Sequence, residues 1–242
     1  MRLWAVVPAA GAGLRLGLGF NKVLAPLGGQ PLLYRTLEAL ASYPSWAGVV
    51  LVHARDERML LEKALEGASW PWPFHWAEGG ETRSDSVRAG LTLATGLGAE
   101  AVAVHDAARP LVTEALVTRV VARAQSAGAA IPGLPVADTL KRVVRGTDLV
   151  VETVSRTELW AVQTPQVVRV SLLQEAYATA ARLGITGTDE ASLLEAAGFE
   201  VAVVPGDPGN VKVTGPGDLA LVDALGVRLG RWSAPPDSGP TP

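Results

Sequence analysis

The chain has 242 residues, enough for one α/β domain with a sizeable core, and its formal net charge of −3 leaves no basic surplus for general nucleic-acid binding. It has no cysteine and only three histidines, His53, His75 and His105, none at ligand spacing, which excludes disulfides, thiolate metal centres and a structural zinc site. No apolar run approaches the roughly 20 residues of a membrane span and no secretory pattern opens the chain, so a soluble, cytoplasmic protein is expected.

Taken in chain order, apolar runs of strand length alternate with helical patterns. A strand near 2–8 leads through a glycine-rich loop to a helix near 31–42. A strand near 47–53 and a helix near 55–66 follow, then a strand near 73–77, a helix near 82–95, a strand near 100–105 and a helix near 113–126. Strands near 129–134 and 160–163, helices near 169–183 and 189–197, a strand near 200–204 and a helix near 216–225 complete the pattern. Continuous runs such as Val49-Val50-Leu51-Val52 suit strands covered on both faces, so the alternation predicts a three-layer α/β domain with a mostly parallel sheet. Gly184 and Gly198 stand where a helix ends in a left-handed residue. The stretch "SWPWPFHW" (69–76) has no interleaved basic residues, so its tryptophans read as packing on helices rather than as a base-stacking surface. Residues 135–159 read as two β-rich arms around the turn Gly146-Thr147-Asp148. An isolated hairpin is barely stable, so the apolar Val143, Val144, Val150 and Val151 point to docking on a second copy of the chain. Residues 231–242 read as a flexible tail.

The loop at 9–22 follows a strand, where backbone N–H groups approach phosphate closely. It is not a dinucleotide fingerprint: Gly11 and Gly13 fit, but Leu16 takes the third glycine position, and no acid closes a second strand ~20 residues on. Nor is it a P-loop, since no Gly-Lys-Ser/Thr occurs. What it offers is a row of amides with two cations, Arg15 and Lys22, which suits a nucleoside triphosphate.

The loop "PAAGAGLRLGLGFNK" (8–22) resembles the signature of the 2-C-methyl-D-erythritol 4-phosphate cytidylyltransferases. Further matches follow in that family's order: "GGETRSDSV" (79–87), "VHDAARP" (104–110), "PVADTLKR" (135–142), "TVSRTELW" (153–160), "TPQ" (164–166), "TDEA" (188–191) and "NVKVT" (210–214). Two departures stand out. Val23 replaces the family's usual glutamine after the loop lysine, and Gly209 replaces its acid before Asn210, leaving Asp207 nearby. The resemblance covers about 3–226 and implies a Rossmann-like nucleotidyltransferase fold in one domain, 1–230, with 135–159 as a dimerisation arm. It also implies transfer of a cytidylyl group from CTP to methylerythritol phosphate with release of pyrophosphate. The nearest alternative is a cytidylyltransferase for another polyol phosphate such as ribitol 5-phosphate, a group that opens with L-A-G-G rather than Pro8-Ala9-Ala10-Gly11.

The resemblance and the chemistry together distribute roles. Arg15, Lys22 and Lys212 are the expected catalytic cations, meeting charge that grows on the α-phosphorus and the leaving pyrophosphate. Lys212 is also expected on the acceptor, and this is the favoured reading over a solvated lysine on an alternating "NVKVT" strand. Pro8, Ala9, Ala10, Gly11, Gly13, Gly80, Arg83 and Ser86 are expected to bind CTP, with the 79–87 segment on the cytosine base. Ser84 and Ser86 read equally as helix N-caps and Arg83 as a structural clasp. Asp106, at a strand's carboxyl end, suits Mg²⁺ beside triphosphate oxygens. Asp106 again, with Ala107, Thr139, Arg156, Thr164 and Asp189, is expected on the acceptor alcohol and its phosphate, although an acid that opens a helix, as Asp189 does, is commonplace. Arg109 either joins them or braces the Asp106 loop, and bracing is the favoured reading. His105 reads as a packed strand-end residue rather than a ligand.

Overall fold

Successive residues of the first strand, β1 (Leu3–Pro8), point into two different cores, and that alternation sets up a layered molecule. The computed structural model describes residues 1–11 and 20–233. After β1 come a short 3-10 turn (Lys22–Leu24), β2 (Pro26–Leu27), β3 (Gln30–Pro31), α1 (Leu32–Leu40), β4 (Gly48–His53), α2 (Arg58–Ala64), β5 (Phe74–Glu78) and α3 (Arg83–Gly96). The chain continues through β6 (Ala101–Val104), α4 (Glu114–Ala127), β7 (Ala129–Pro135), β8 (Leu140–Val143), β9 (Val150–Val154), β10 (Trp160–Val162) and β11 (Gln166–Arg169). It ends with α5 (Val170–Leu183), α6 (Glu190–Ala196), β12 (Ala202–Pro205) and α7 (Pro216–Arg228).

The central sheet has eight strands in the order β5-β4-β1-β6-β11-β7, with β10 and β12 also paired to β7. β4 and β6 flank β1 in parallel, β5 joins β4 in parallel and β12 joins β7 in parallel. β11 runs antiparallel between β6 and β7, and β10 is antiparallel to β7. Leu3, Ala5 and Val7 pack with Val49, Leu51 and Ala103 under α1, α2 and α4. Trp4 and Val6 pack with Val50, Val52 and Val104 under α3, α5 and α6. Strands buried on both faces need no polar side, which is why these segments read as unbroken apolar runs. Gly184, at φ 64°, ends α5 as expected. Among the described residues no helix is long and apolar enough to cross a membrane.

Several expectations are corrected. β11 was not anticipated: "QVVR" runs straight into α5, so strand and helix merge into one apolar stretch. Residues 211–214 are not a strand; Val213 is tied to Ala108 by a 2.9 Å backbone bond in a loop. The tail does not begin at 231. Trp232 is buried between Gly28 and Gly226, where no room remains for a side chain on either glycine, and the Arg35 guanidinium lies 5.0 Å over its ring. Its indole N–H donates to Asp223 at 2.9 Å, and the same oxygen accepts the Gly28 N–H at 3.1 Å. The rest of the predicted tail, from 234, lies outside the described residues. Among the described residues β8 and β9 pair only with each other, held by Arg142–Glu152 at 2.6 Å, and form the hairpin expected within 135–159. Trp70 and Trp72 stack at 5.4 Å, with Trp70 5.6 Å from Tyr34 of α1, so the tryptophan stretch packs as predicted.

Candidate active site

The carboxyl ends of β1, β5 and β6 open onto one cleft of about 320 Å³. Pro8, Ala9, Ala10 and Gly11 line one side, Gly80, Glu81, Thr82, Arg83 and Ser86 another, and Asp106, Ala107, Ala108, Lys22, Val23 and Lys212 complete it. Gly13 and Arg15 lie outside the described residues.

Each wall has a local cause. Asn21, buried, donates to Ala9 O at 2.7 Å and to Glu57 at 2.8 Å while accepting from Val23 N–H at 3.2 Å, so it ties the two ends of the glycine loop together. α3 begins at Thr82, not at Ser84 or Ser86: Thr82 accepts from Asp85 N–H at 3.0 Å and Asp85 returns the bond to Thr82 N–H at 3.3 Å. Ser86 instead donates to Thr82 O at 3.0 Å and faces Gly79, where a Cβ would stand 2.6 Å from its Oγ and 3.2 Å from Ala10. Glycine there lets the β5 end close on Ala10, leaving a narrow slot edged by backbone and a hydroxyl.

Charge concentrates on Asp106. Its Oδ2 accepts Lys212 Nζ at 2.9 Å and Arg109 Nε at 3.3 Å, and its Oδ1 lies 3.7 Å from Arg83 Nε. Burial alone would push this carboxyl up, but Lys212, Arg83 and Arg109 outweigh it and hold the group well below the usual carboxylate range. Lys22 Nζ donates to Val213 O at 2.9 Å, which brings the loop lysine beside the segment bearing Lys212. The two lysines converge although 190 positions apart.

Behind this front, buried residues brace it. Thr164 Oγ1 accepts Asp106 N–H at 3.0 Å and meets His105 Nδ1 at 3.1 Å, while His105 Nε2 meets Arg109 O at 3.2 Å. Only the tautomer protonated at Nε2 satisfies the chain, since the Arg109 carbonyl accepts only. Burial pushes the His105 imidazolium down to about 4, so the ring is neutral near neutral pH and packs as expected. Arg109 donates to Asn210 O at 2.7 Å and is buried, which fits bracing rather than acceptor contact. Thr164 is buried in the same network.

Asp189 is turned to structure. It caps α6 through Ser192 N–H at 2.9 Å, and its other oxygen takes Gln166 Nε2 at 2.8 Å, so both oxygens are engaged. Arg83 proves to be a clasp as well as a cleft residue, bound to Glu190 through both terminal nitrogens at 2.9 and 3.1 Å. Thr139 and Arg156 are exposed on the hairpin segment and line no part of the cleft; Arg156 donates to Ala137 O. Asp207 folds onto its own loop, accepting Gly209 N–H at 2.8 Å. Glu81, Thr82 and Ala108 line the cleft without having been named as site residues, though all three stand inside quoted motifs, and Val23, noted above only as a departure from the family pattern, lines it too. Asn21, Gln166, Glu190 and Asn210 were also passed over as positioning residues. Asn21 had one signal, its place directly before the loop lysine.

Comparison with known proteins bears on this cleft. The model of the family described as 2-C-methyl-D-erythritol 4-phosphate cytidylyltransferase matches residues 3–227. A protein of that name from Gloeobacter violaceus is 42% identical over 222 residues, 91% of this chain and 94% of the other. One from Bacillus licheniformis is 38% identical over 93% of this chain and 96% of its own length. The crystal structure of the Thermus thermophilus enzyme of that name superposes with a TM-score of 0.74 at 37% identity, covering 93% of this chain and 98% of that one.

Proposed function

The chain belongs to the 2-C-methyl-D-erythritol 4-phosphate cytidylyltransferase family and joins a cytidylyl group from CTP to that alcohol phosphate; from this premise we propose how the cleft performs the transfer. The acceptor's phosphomonoester oxygen attacks the α-phosphorus of CTP in line, forming 4-CDP-2-C-methyl-D-erythritol as pyrophosphate departs. That oxygen is anionic near neutral pH, so no general base is needed, in keeping with a neutral, buried His105. The barrier lies in bringing two anions together, and positioned cations lower it.

The observation that carries this reading is the convergence of Lys22 and Lys212 beside Asp106 in a cleft walled on one side by Pro8, Ala9, Ala10 and Gly11. Lys22, with Arg15, neutralises the triphosphate, and Lys212 stands between the two substrates. Gly80 and Ser86 present a backbone edge and a hydroxyl to the base, which favours cytosine over uracil because the wrong exocyclic group would leave buried partners unpaired. Among the described residues no three His, Cys, Asp or Glu side chains form a self-sufficient metal site. A single carboxylate does fit Mg²⁺, which takes few protein oxygens and completes its shell with phosphate oxygens and water. Asp106 Oδ1 is the oxygen that would hold it, and the ion would supply charge neutralisation at the triphosphate.

We assign the exposed arm to a homodimer: Leu149, Val150 and Val151 are 65%, 58% and 58% exposed, an apolar strip that a second copy would cover. Thr139 and Arg156, which line no part of their own cleft, then serve the neighbouring one, where the partner's Arg156 would meet the acceptor phosphate. The direct test incubates pure protein with CTP, Mg²⁺ and a panel of polyol phosphates while following pyrophosphate. Methylerythritol phosphate is expected to be used well ahead of ribitol 5-phosphate, and the reverse preference would overturn the acceptor assignment.

A further inference from the structure

Glu190 is a carboxylate only 1% exposed that the transfer chemistry above does not use. Its two oxygens take the terminal nitrogens of Arg83 at 2.9 and 3.1 Å. It is held from behind: Gln166 Oε1 accepts the backbone N–H groups of Glu190 and Ala191, each at 3.1 Å. Gln166 itself is the register partner of Val104, two residues before Asp106, so the clasp and the site share one rigid piece of sheet.

A guanidinium beside an available carboxylate closes on it in bidentate fashion. Arg83 does not do so on Asp106. Its terminal nitrogens are taken by Glu190, and it faces Asp106 Oδ1 with Nε alone, at 3.7 Å. Lys212 and Arg109 both sit on Oδ2. Oδ1 is therefore the Asp106 oxygen on which neither Lys212 nor Arg109 makes its closest contact, and Arg83 stops 3.7 Å from it.

We propose that Glu190 is a positioning residue that holds Arg83 off Asp106 Oδ1, keeping that oxygen for the divalent cation of the bound nucleotide. The proposal rests on the reading of Asp106 as that cation's protein ligand. Without the Glu190 charge, Arg83 turns to Asp106 and competes with the ion for the same oxygen.

The test reads binding rather than turnover. CTP affinity is measured by titration calorimetry with Mg²⁺ and again with a chelator, and the ratio of the two is the metal-dependent gain. Glu190→Gln, checked for folding by its thermal midpoint, is expected to lose about tenfold of that gain, the scale of one charge-assisted bidentate contact competing for the carboxylate. Adding Arg83→Leu to Glu190→Gln removes the competitor and is expected to restore the gain, whatever that double change does to CTP affinity itself. A merely structural Glu190 would give no such restoration. Should Glu190→Gln fail to fold, the double variant replaces both partners of the pair, a change that buried ion pairs tolerate far better. Its gain is then expected to match the wild-type value. A folded Glu190→Gln with the wild-type gain overturns the proposal, and so does a double variant without it. A wild-type protein with no gain at all overturns the Asp106 cation reading and the proposal with it, and is told apart because it fails before any substitution is made.

Discussion

Lys22 and Lys212 come from opposite ends of the chain and meet at the Val213 carbonyl and the Asp106 carboxylate. If they act on charge that grows during the transfer, their loss falls on turnover more than on binding. Lys22→Ala is expected to lower kcat about a hundredfold, ~3 kcal/mol, with a much smaller change in CTP affinity. Wild-type turnover at saturating substrates would remove Lys22 from the chemistry. Asp106→Asn keeps the shape but loses the charge, and is expected to raise the Mg²⁺ concentration for half-maximal activity sharply. An unchanged Mg²⁺ titration would detach the ion from this residue. His105 gives a pH prediction. Burial lowers its folded pKa to about 4, so between the unfolded value of about 6.5 and 4 the unfolded chain binds the extra proton. The contribution to stability is present above pH 6.5 and is lost as pH falls to 4, on the order of 3 kcal/mol. Urea unfolding of wild type and His105→Gln across that window should show a steeper loss in wild type; parallel curves would refute the assignment.

Among the elements, Trp232 joins the short β2–β3 hairpin to α7, filling the space between Gly28 and Gly226. Trp232→Ala is expected to cost ~3–5 kcal/mol, the range for removing a large buried aromatic. A change under 1 kcal/mol in urea unfolding would show that the ring carries no such packing, since surface substitutions usually stay within ~0.5 kcal/mol. This contact also marks where the sequence stopped being legible. The β1, β4 and β6 runs announced themselves because strands covered on both faces carry no polar alternation to confuse. The helix ends at Gly184 and Gly198 were readable because a left-handed turn selects glycine locally. Trp232 sits in a polar, proline-rich stretch whose composition says only that it is loose; its partners lie at Gly28, Arg35 and Asp223, and no local pattern reports them. The same distance hid the Arg83–Glu190 clasp, made between residues 107 apart. Asp189 shows a related ambiguity: an acid opening a helix looks the same whether it caps the backbone or meets a ligand, and here it caps α6. The cleft lining, by contrast, lay almost wholly within quoted motifs, because residues that approach one ligand at strand ends sit in short loops and stay contiguous in sequence.

At the scale of the whole molecule, the question is which copy the arm serves. Thr139 and Arg156 lie outside their own cleft, on a hairpin whose apolar strip faces solvent. If Arg156 completes the neighbouring site, a Lys22→Ala chain and an Arg156→Ala chain, each inactive alone, should complement after subunit exchange. A mixed dimer holds one doubly damaged site and one intact site. Random pairing makes about half the dimers mixed, so about a quarter of all sites should recover. Verified exchange with no recovered activity would return the arm to its own chain.

The Trp232 contact also sets an order of events during synthesis. The cleft begins with the glycine loop near the amino terminus, yet Lys212, the Val213 carbonyl that receives Lys22, and the ring that pins the β2–β3 hairpin are among the last described parts of the chain. A ribosome that has translated the first two hundred residues has made the whole sheet save its final strand, but not a nucleotide site. Nascent chains stalled before residue 232 are therefore expected to bind CTP poorly, and competence should arrive only once residues 212–232 have been made. The cell would make a scaffold first and arm it last.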